Sequence, residues 1–478
     1  MTRERSEWNG IMRKLIFRIS MVAMVGLAIA PALFFPHAVH AHGGAIEGPQ
    51  QVYTQAIGPY EITTIVELPP STPALLLVDI VPRDDIGEAT ILLRVTPRGY
   101  SFDQAPSTQI TTVPGPQGVY STQLPVDQSG EWELELQIEG ARGSGIARIP
   151  ITITPTPLPP YTIPLLITLG SIFLLLLIGV GVSASIQRRE RPLLQAVSRI
   201  LSYAIFGCTV VAGVLGVLQW NTTAQEAQTA TNSDAGGGRP HVNVAMTPSV
   251  AILQAGKPLS LTLDLTDGGT GLPVDDLVSH HEALMHLIVL DTTGTSLSHL
   301  HPARLAPGRF ITEFTPDRSG NYTAYIEIER RNSGTQVIAR DFSVAGSSAA
   351  PAPPAPGFGM RTIAGIQVQA TSSLMPLRAA RQTTLTFLFS EKEQPIRDLQ
   401  PWLGMGGHLL ARSADGATFA HVHAAETMVP ISATSDIRYG PTVRFVYTFP
   451  QPGTYQVWSQ FKRGGRILTV PLTVEVVP

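Results

Sequence analysis

Three histidines at one fixed spacing occur twice in this 478-residue sequence. His286, His299 and His301 make a His-x12-His-x-His pattern, and His408, His421 and His423 repeat it 122 positions later. Imidazole is a ligand for Zn, Cu, Fe or Ni, and residues i and i+2 of a strand share one face. One His-x-His in a strand is more often solvent-facing than ligating. The same three-histidine spacing in two copies, whose surrounding residues have diverged, points instead to metal ligation.

The residues between the histidines say how the rings would meet. Each copy carries a turn signal there, "TTGT" in the first and "ADGA" in the second. Asp415-Gly416 reads as a two-residue hairpin turn, whose central residues need positive φ. A turn centred there sets His408 opposite His423; one centred between Thr293 and Gly294 sets His286 opposite His301. Directly opposed residues have Cβ atoms about 4.5–5.5 Å apart on one face, so each triad converges on one face of one hairpin. A one-residue slip would disperse it.

Other candidate ligands are weaker. Met285 and Met405 lie near the triads, and a thioether would favour copper; the competing reading is a core residue. His280 and His281 have no counterparts in the second copy and read as surface residues. His42, in "HAVHAHGG", would combine an α-amino group with an imidazole if a leader were cleaved after Ala41. A cupin reading fails because Glu426 follows His423 too closely, and the first copy has no nearby acid. Cys208 is the single cysteine and sits in an apolar run, which excludes disulfides and Cys-based zinc sites within one chain.

The elements that would position these residues are strands. Period-2 runs such as "LSLTLDL" and "NYTAYIEIE", separated by Pro/Gly-rich turns, recur throughout. They predict an all-β protein of three immunoglobulin-like β-sandwich domains, at 42–155, 241–346 and 360–478. The last two are internal repeats, sharing Asp276-Leu277 with Asp398-Leu399 and Gly294 with Gly416. "DRSGNYTAYIEI" and "PQPGTYQVWSQF" match, and the first domain has a cognate in "DQSGEWELELQI" but no triad. A flexible linker at 219–240 and a Pro/Ala linker at 347–359 separate the domains.

Residues 1–41 read as a signal peptide or an uncleaved anchor. Residues 162–186 and 197–218 are each long and apolar enough to span a bilayer as helices. The loop 187–196 between them contains Arg188, Arg189 and Arg191, whereas the outer flanks carry no Lys or Arg. Positive-inside bias makes this a transmembrane hairpin with a cytoplasmic loop and every globular domain outside. Hydrophobic residues at 44% beside charged residues at only 14% fit membrane segments joined to weakly charged β-domains, and a net charge of −3 gives no footprint for nucleic acid.

"HEALMHLIVLDTTGTSLSHLHP" and "PWLGMGGHLLARSADGATFAHVHA" resemble the paired histidine motifs of bacterial extracytoplasmic heavy-metal-binding, YtkA-like proteins. "AHGG" and "IGPYEI" in the first domain resemble the start of YtkA- or CopC-like sandwiches. The resemblance implies copper handling at the cell surface, with a role for an N-terminal histidine such as His42; the second histidine such a site needs is missing from the first domain.

The expectation is therefore a non-enzymatic, membrane-anchored metal-binding protein. Copper is the expected ion, with zinc or another divalent transition metal as alternatives, one ion per triad, and a metal transporter or chaperone as candidate partner. Two other classes compete: an enzyme activating water or oxygen at an open three-histidine site, and a structural Ig-like surface protein that binds no metal. The first lacks a repeated carboxylate to act as base; the second requires the triads to be incidental.

Overall fold

The computed structural model describes residues 50–153, 239–347, 356–426 and 437–478, apart from 70, 116, 117 and 332. Every regular element among them is a strand. His42, the leader and the segments 162–186 and 197–218 lie outside the described residues; among the described residues no helix is long and apolar enough to cross a membrane.

The first sandwich contains β1 (Gln50–Ile57), β2 (Tyr60–Glu67), β3 (Ala74–Pro82), β4 (Ala89–Pro97), β5 (Ser107–Thr111), β6 (Tyr120–Val126), β7 (Gly130–Gly140) and β8 (Gly143–Ile153). Its sheets run β1-β2-β3-β6 and β5-β4-β7-β8.

The second contains β9 (Val242–Pro248), β10 (Leu253–Gln254), β11 (Leu259–Asp267), β12 (Met285–Asp291), β13 (Leu297–Leu300), β14 (Ala303–Ala306), β15 (Arg309–Phe314), β16 (Gly320–Arg330) and β17 (Gly334–Ala345). Its sheets are β14-β15-β11-β9 and β10-β17-β16-β12-β13. That is the immunoglobulin arrangement, strands D-E-B-A on one sheet and G-F-C on the other, with one further strand at each edge of the latter.

The third contains β18 (Gly359–Ile363), β19 (Ile366–Ser372), β20 (Leu377–Arg378), β21 (Gln382–Glu391), β22 (Gln394–Pro395), β23 (His408–Ser413), β24 (Phe419–His423), β25 (Thr442–Thr448), β26 (Gly453–Arg463) and β27 (Arg466–Val477). Its sheet β20-β27-β26-β23-β24 copies β10-β17-β16-β12-β13 strand for strand.

The shared "GxY" hairpins explain themselves here. Tyr322 Oη donates to the Arg318 carbonyl at 3.0 Å and Tyr455 Oη to that of Gln451 at 3.1 Å, the tyrosine corner of immunoglobulin-like folds. In the first sandwich Trp132 Nε1 makes the same bond to the Gln128 carbonyl at 3.0 Å. The recurring aspartates fix the far ends of the same strands: Asp276 Oδ1 accepts from Arg330 Nε at 3.0 Å, and Asp398 Oδ1 from Arg463 Nε at 2.8 Å.

Strands β12 and β23 are buried at every position, unlike the alternating β11. One face of each fills its own sandwich, through Met285, Leu287 and Val289, and through Leu409 and Ala411. The other face meets the other repeat. Ile288, Leu290 and Tyr325 pack against Leu410 and Trp458, flanked by Leu297 and Phe419. Trp458 Nε1 donates to the Gly294 carbonyl at 3.1 Å and Arg412 Nε to Tyr325 Oη at 2.9 Å across this junction. A sheet apolar on both faces needs cover on both, and here the two repeats cover each other.

The first and second sandwiches share one continuous apolar core. The Ala56 amide donates to the His301 carbonyl at 2.6 Å, and Ser279 Oγ to the Val52 carbonyl at 2.7 Å. Arg304, 2% exposed, joins Asp275 Oδ1 to Glu133 Oε1, both at 2.8 Å, across the same boundary.

Candidate metal centre

The turn residues set the register of both histidine hairpins. His408 stands opposite His423. In the first copy the ladder pairs Leu287 with Leu300 and Ile288 with His299, so His286 and His301 are the next opposed positions. The loops differ from the two-residue reading: each has four residues, 292–295 and 414–417, closed by Asp291 N–H to the Ser296 carbonyl and Ser413 N–H to that of Thr418. Of Asp415 and Gly416 only the glycine has positive φ, as does Gly294. The centre of the loop is unchanged, hence so is the register.

A second turn precedes each hairpin. His281 and Glu282 (φ 48° and 64°) and Leu403 and Gly404 (φ 50° and 70°) occupy equivalent left-handed positions. The carbonyl leading into each turn faces the first histidine of its triad. His286 Nε2 donates to the His280 carbonyl and His408 Nε2 to the Trp402 carbonyl, both at 3.0 Å.

The middle histidines are held from the opposite repeat. His299 Nδ1 lies 3.1 Å from Gln460 Oε1, and His421 Nδ1 donates to Glu327 Oε2 at 2.8 Å. Glu327 and Gln460 are cognate positions, paired on the ladder with His286 and His408. His301 is held by the first sandwich: its Nδ1 donates to Glu61 Oε1 at 2.7 Å.

With the outward nitrogens engaged, the inward ones face each other. His286 Nδ1 is 3.1 Å from His299 Nε2, and His408 Nδ1 is 3.0 Å from His421 Nε2. Both nitrogens of the second pair carry lone pairs when the rings are neutral, because a carbonyl and a carboxylate can only accept the outer protons. Two lone pairs at that separation repel each other unless a proton or a metal ion lies between them. Nitrogens bound to one ion at about 2.0–2.1 Å lie roughly 2.9–3.4 Å apart. His301 Nε2 and His423 Nε2 are buried with no hydrogen-bond partner.

Electrostatics favour the neutral form of four of these imidazoles. Burial, followed by the neighbouring imidazoles, pushes His286, His299 and His408 well below the usual histidine range. The same causes depress His423. Burial raises Glu327 and Glu61, but His421 outweighs it for Glu327, and His301 with Arg83 brings Glu61 down to about 2.

Of the two expected triads, one per domain, the structure brings the second together and redraws the first. The triples whose ligand atoms lie within 4.8 Å of one another are His286, His299 and His421, and His408, His421 and His423. His421 belongs to both, while His301 is turned toward Glu61. The ring centroids of His299 and His421 are 5.2 Å apart, so both repeats build one continuous cluster. Met285 is corrected to a core residue: strand alternation puts it opposite His286, inside its own sandwich. Met405 is buried beside the turn of Trp402.

His280 and His281 are corrected too. His280 Nδ1 pairs with Glu329 Oε2 at 2.6 Å, and the His281 ring stacks on His423 with centroids 3.4 Å apart. The acceptors Glu327 and Gln460 were findable by aligning the two "GxY" hairpins with the histidine strands they pair. Glu61 has no local signal, since its role arises only from packing between sandwiches.

One family profile, described as "Domain of unknown function (DUF8832)", matches residues 240–346 and again 361–478. No curated protein sequence matches the chain significantly. Among solved structures, the Escherichia coli adhesin FdeC is 10% identical, covering 92% of this chain and 100% of that one at a TM-score of 0.17. A tetra-tandem repeat from the extending region of a large adhesion protein is 9% identical, with 89% and 74% covered and a TM-score of 0.18. Fibronectin(III)-like modules of Clostridium thermocellum CbhA are 12% identical, with 49% and 95% covered and a TM-score of 0.15. Scores at this level describe no common arrangement of domains. What the chain presents is a stack of immunoglobulin-like sandwiches with a histidine cluster where its two similar domains meet.

Proposed function

We propose that this is a membrane-anchored, extracytoplasmic metal-binding protein that holds a transition-metal ion between its two distal sandwiches and sequesters it or passes it on. The observation that carries the reading is the pair His408 Nδ1 and His421 Nε2, 3.0 Å apart with both outer nitrogens committed to oxygen acceptors. Carboxylates and carbonyls on the far nitrogen are the usual support of metal-ligating histidines. Glu61 and Glu327 hold ligands by their outer nitrogens rather than standing free to act as a base, which favours binding over catalysis.

Copper is the proposed ion, on the resemblance to copper-handling proteins, and zinc suits the same imidazoles. The membrane anchor rests on the apolar segments 162–186 and 197–218. Such a hairpin requires both ends of that region on one side of a bilayer, and contact between the first and second sandwiches is compatible with it.

A second reading is a structural stack in which the histidines only join the repeats. It is favoured by the apolar junction and the Trp458 and Arg412 bonds, which already tie the repeats together. Titrating the full chain in detergent with Cu(II), Cu(I) and Zn(II) separates the two. The metal reading expects at least one tight equivalent that is lost in His421→Ala; no binding beyond that of the variant supports the structural stack.

A further inference from the structure

The two halves of the cluster look alike but are not chemically equivalent, and the difference lies in residues of the opposite repeat. His421 is backed by the Glu327 carboxylate at 2.8 Å; His299, its counterpart, is backed by the Gln460 amide at 3.1 Å. A carboxylate fixes the proton on the outer nitrogen, leaves the inner lone pair free and supplies a negative charge to a bound cation. An amide does neither as strongly, and Gln460 is also tied by its Nε2 to Thr469 Oγ1 at 3.2 Å.

His421 adds a second asymmetry. It is common to both converging triples, yet its Nδ1 is spent on Glu327, so Nε2 is its one free nitrogen. One nitrogen lone pair serves one ion. Once His421 joins His408 and His423, a second ion has only His286 and His299, with His301, whose Nε2 is buried and unpartnered.

Building on the metal-binding reading above, we infer that the cluster is a single centre loaded in fixed order, with the affinity of each half set by the other repeat. The His408–His421–His423 half fills first, tuned by Glu327; the His286–His299 half fills second and more weakly, tuned by Gln460. The linker-joined repeats therefore act as one binding unit, and a substitution in one alters the site of the other without touching a ligand.

The test is a Zn(II) titration of the full chain in detergent, in competition with a chromophoric chelator. Two steps are expected, separated by at least about tenfold, with His408→Ala removing the tighter and His286→Ala the weaker. Glu327→Gln should weaken the tighter step by about 10–100-fold, the usual effect of altering such a partner. Gln460→Glu should tighten the weaker step by a similar factor, a gain that misfolding cannot produce. Combining the two exchanges should invert the loading order. Equal, independent steps, or steps indifferent to both exchanges, would overturn this inference and leave metal binding standing. Absence of any Zn(II) binding, with Cu(II) and Cu(I) also unbound, would overturn both.

Discussion

His421 donates its Nδ1 proton to Glu327 of the preceding repeat at 2.8 Å, and Glu327 sits opposite His286 on its own sheet. One hydrogen bond thus links a ligand of the second histidine copy to the strand that carries the first. The bond spans the junction between the two repeats.

Replacing His421 removes a ligand and strands a buried carboxylate. His421→Ala should abolish tight binding of Zn(II) and also destabilise the metal-free chain by about 3 kcal/mol, the cost of leaving a buried charge without its partner. Pairing it with Glu327→Gln should recover most of that stability but none of the binding. Urea unfolding followed beside metal titration checks both outcomes.

Interface packing and metal affinity should fall together. Trp458 is 2% exposed, faces the other repeat and donates to the Gly294 carbonyl. Trp458→Ala should cost about 3–5 kcal/mol and weaken Zn(II) binding, although Trp458 is no ligand. In the intact protein Zn(II) at 100 times its Kd should stabilise the fold by about 2.7 kcal/mol, read as a rise in Tm.

Glu282 gives the pH dependence. It is buried at a left-handed position, and burial pushes its carboxyl up to about 8, with Lys462 opposing more weakly. The native state therefore keeps a proton that the unfolded chain releases near the ordinary value of 4.5. Its contribution is complete below about pH 4.5 and is lost as pH rises toward 8, with a total on the order of a few kcal/mol. Glu282→Gln should flatten that decline and raise stability at pH 8, measured by thermal melts between pH 5 and 8.

Arg304 is the corresponding test of the junction between the first and second sandwiches. Arg304→Met leaves the buried Glu133 without its guanidinium, while Asp275 keeps its pair with Arg98. A loss of about 3 kcal/mol is expected, together with faster proteolysis at that boundary. A neutral result would mean the shared apolar core and the remaining hydrogen bonds across the boundary hold the two sandwiches together without it.

How much of this was legible depended on how local the cause is. The register of both hairpins followed from where Gly294 and Gly416 fall, even though Asp415 avoids the positive φ that a two-residue turn would need. The apolar run "LMHLIVLD", broken by His286, fits a strand buried on both faces, which the period-2 reading of the strands did not anticipate. What it could not say was that the second face meets the other repeat, because either triad could have closed on itself. Glu61 and the corrected roles of Met285, His280 and His281 depend on packing between elements distant in sequence. No period or spacing encodes that packing.

The most direct measurement is X-ray absorption at the zinc edge on the full chain loaded with one equivalent of Zn(II). The account predicts imidazole scattering from three histidines at about 2.0–2.1 Å with no sulfur, and loss of that signal when His421→Ala is combined with His286→Ala. A sulfur shell, or a spectrum of hydrated zinc unchanged by the substitutions, would contradict it.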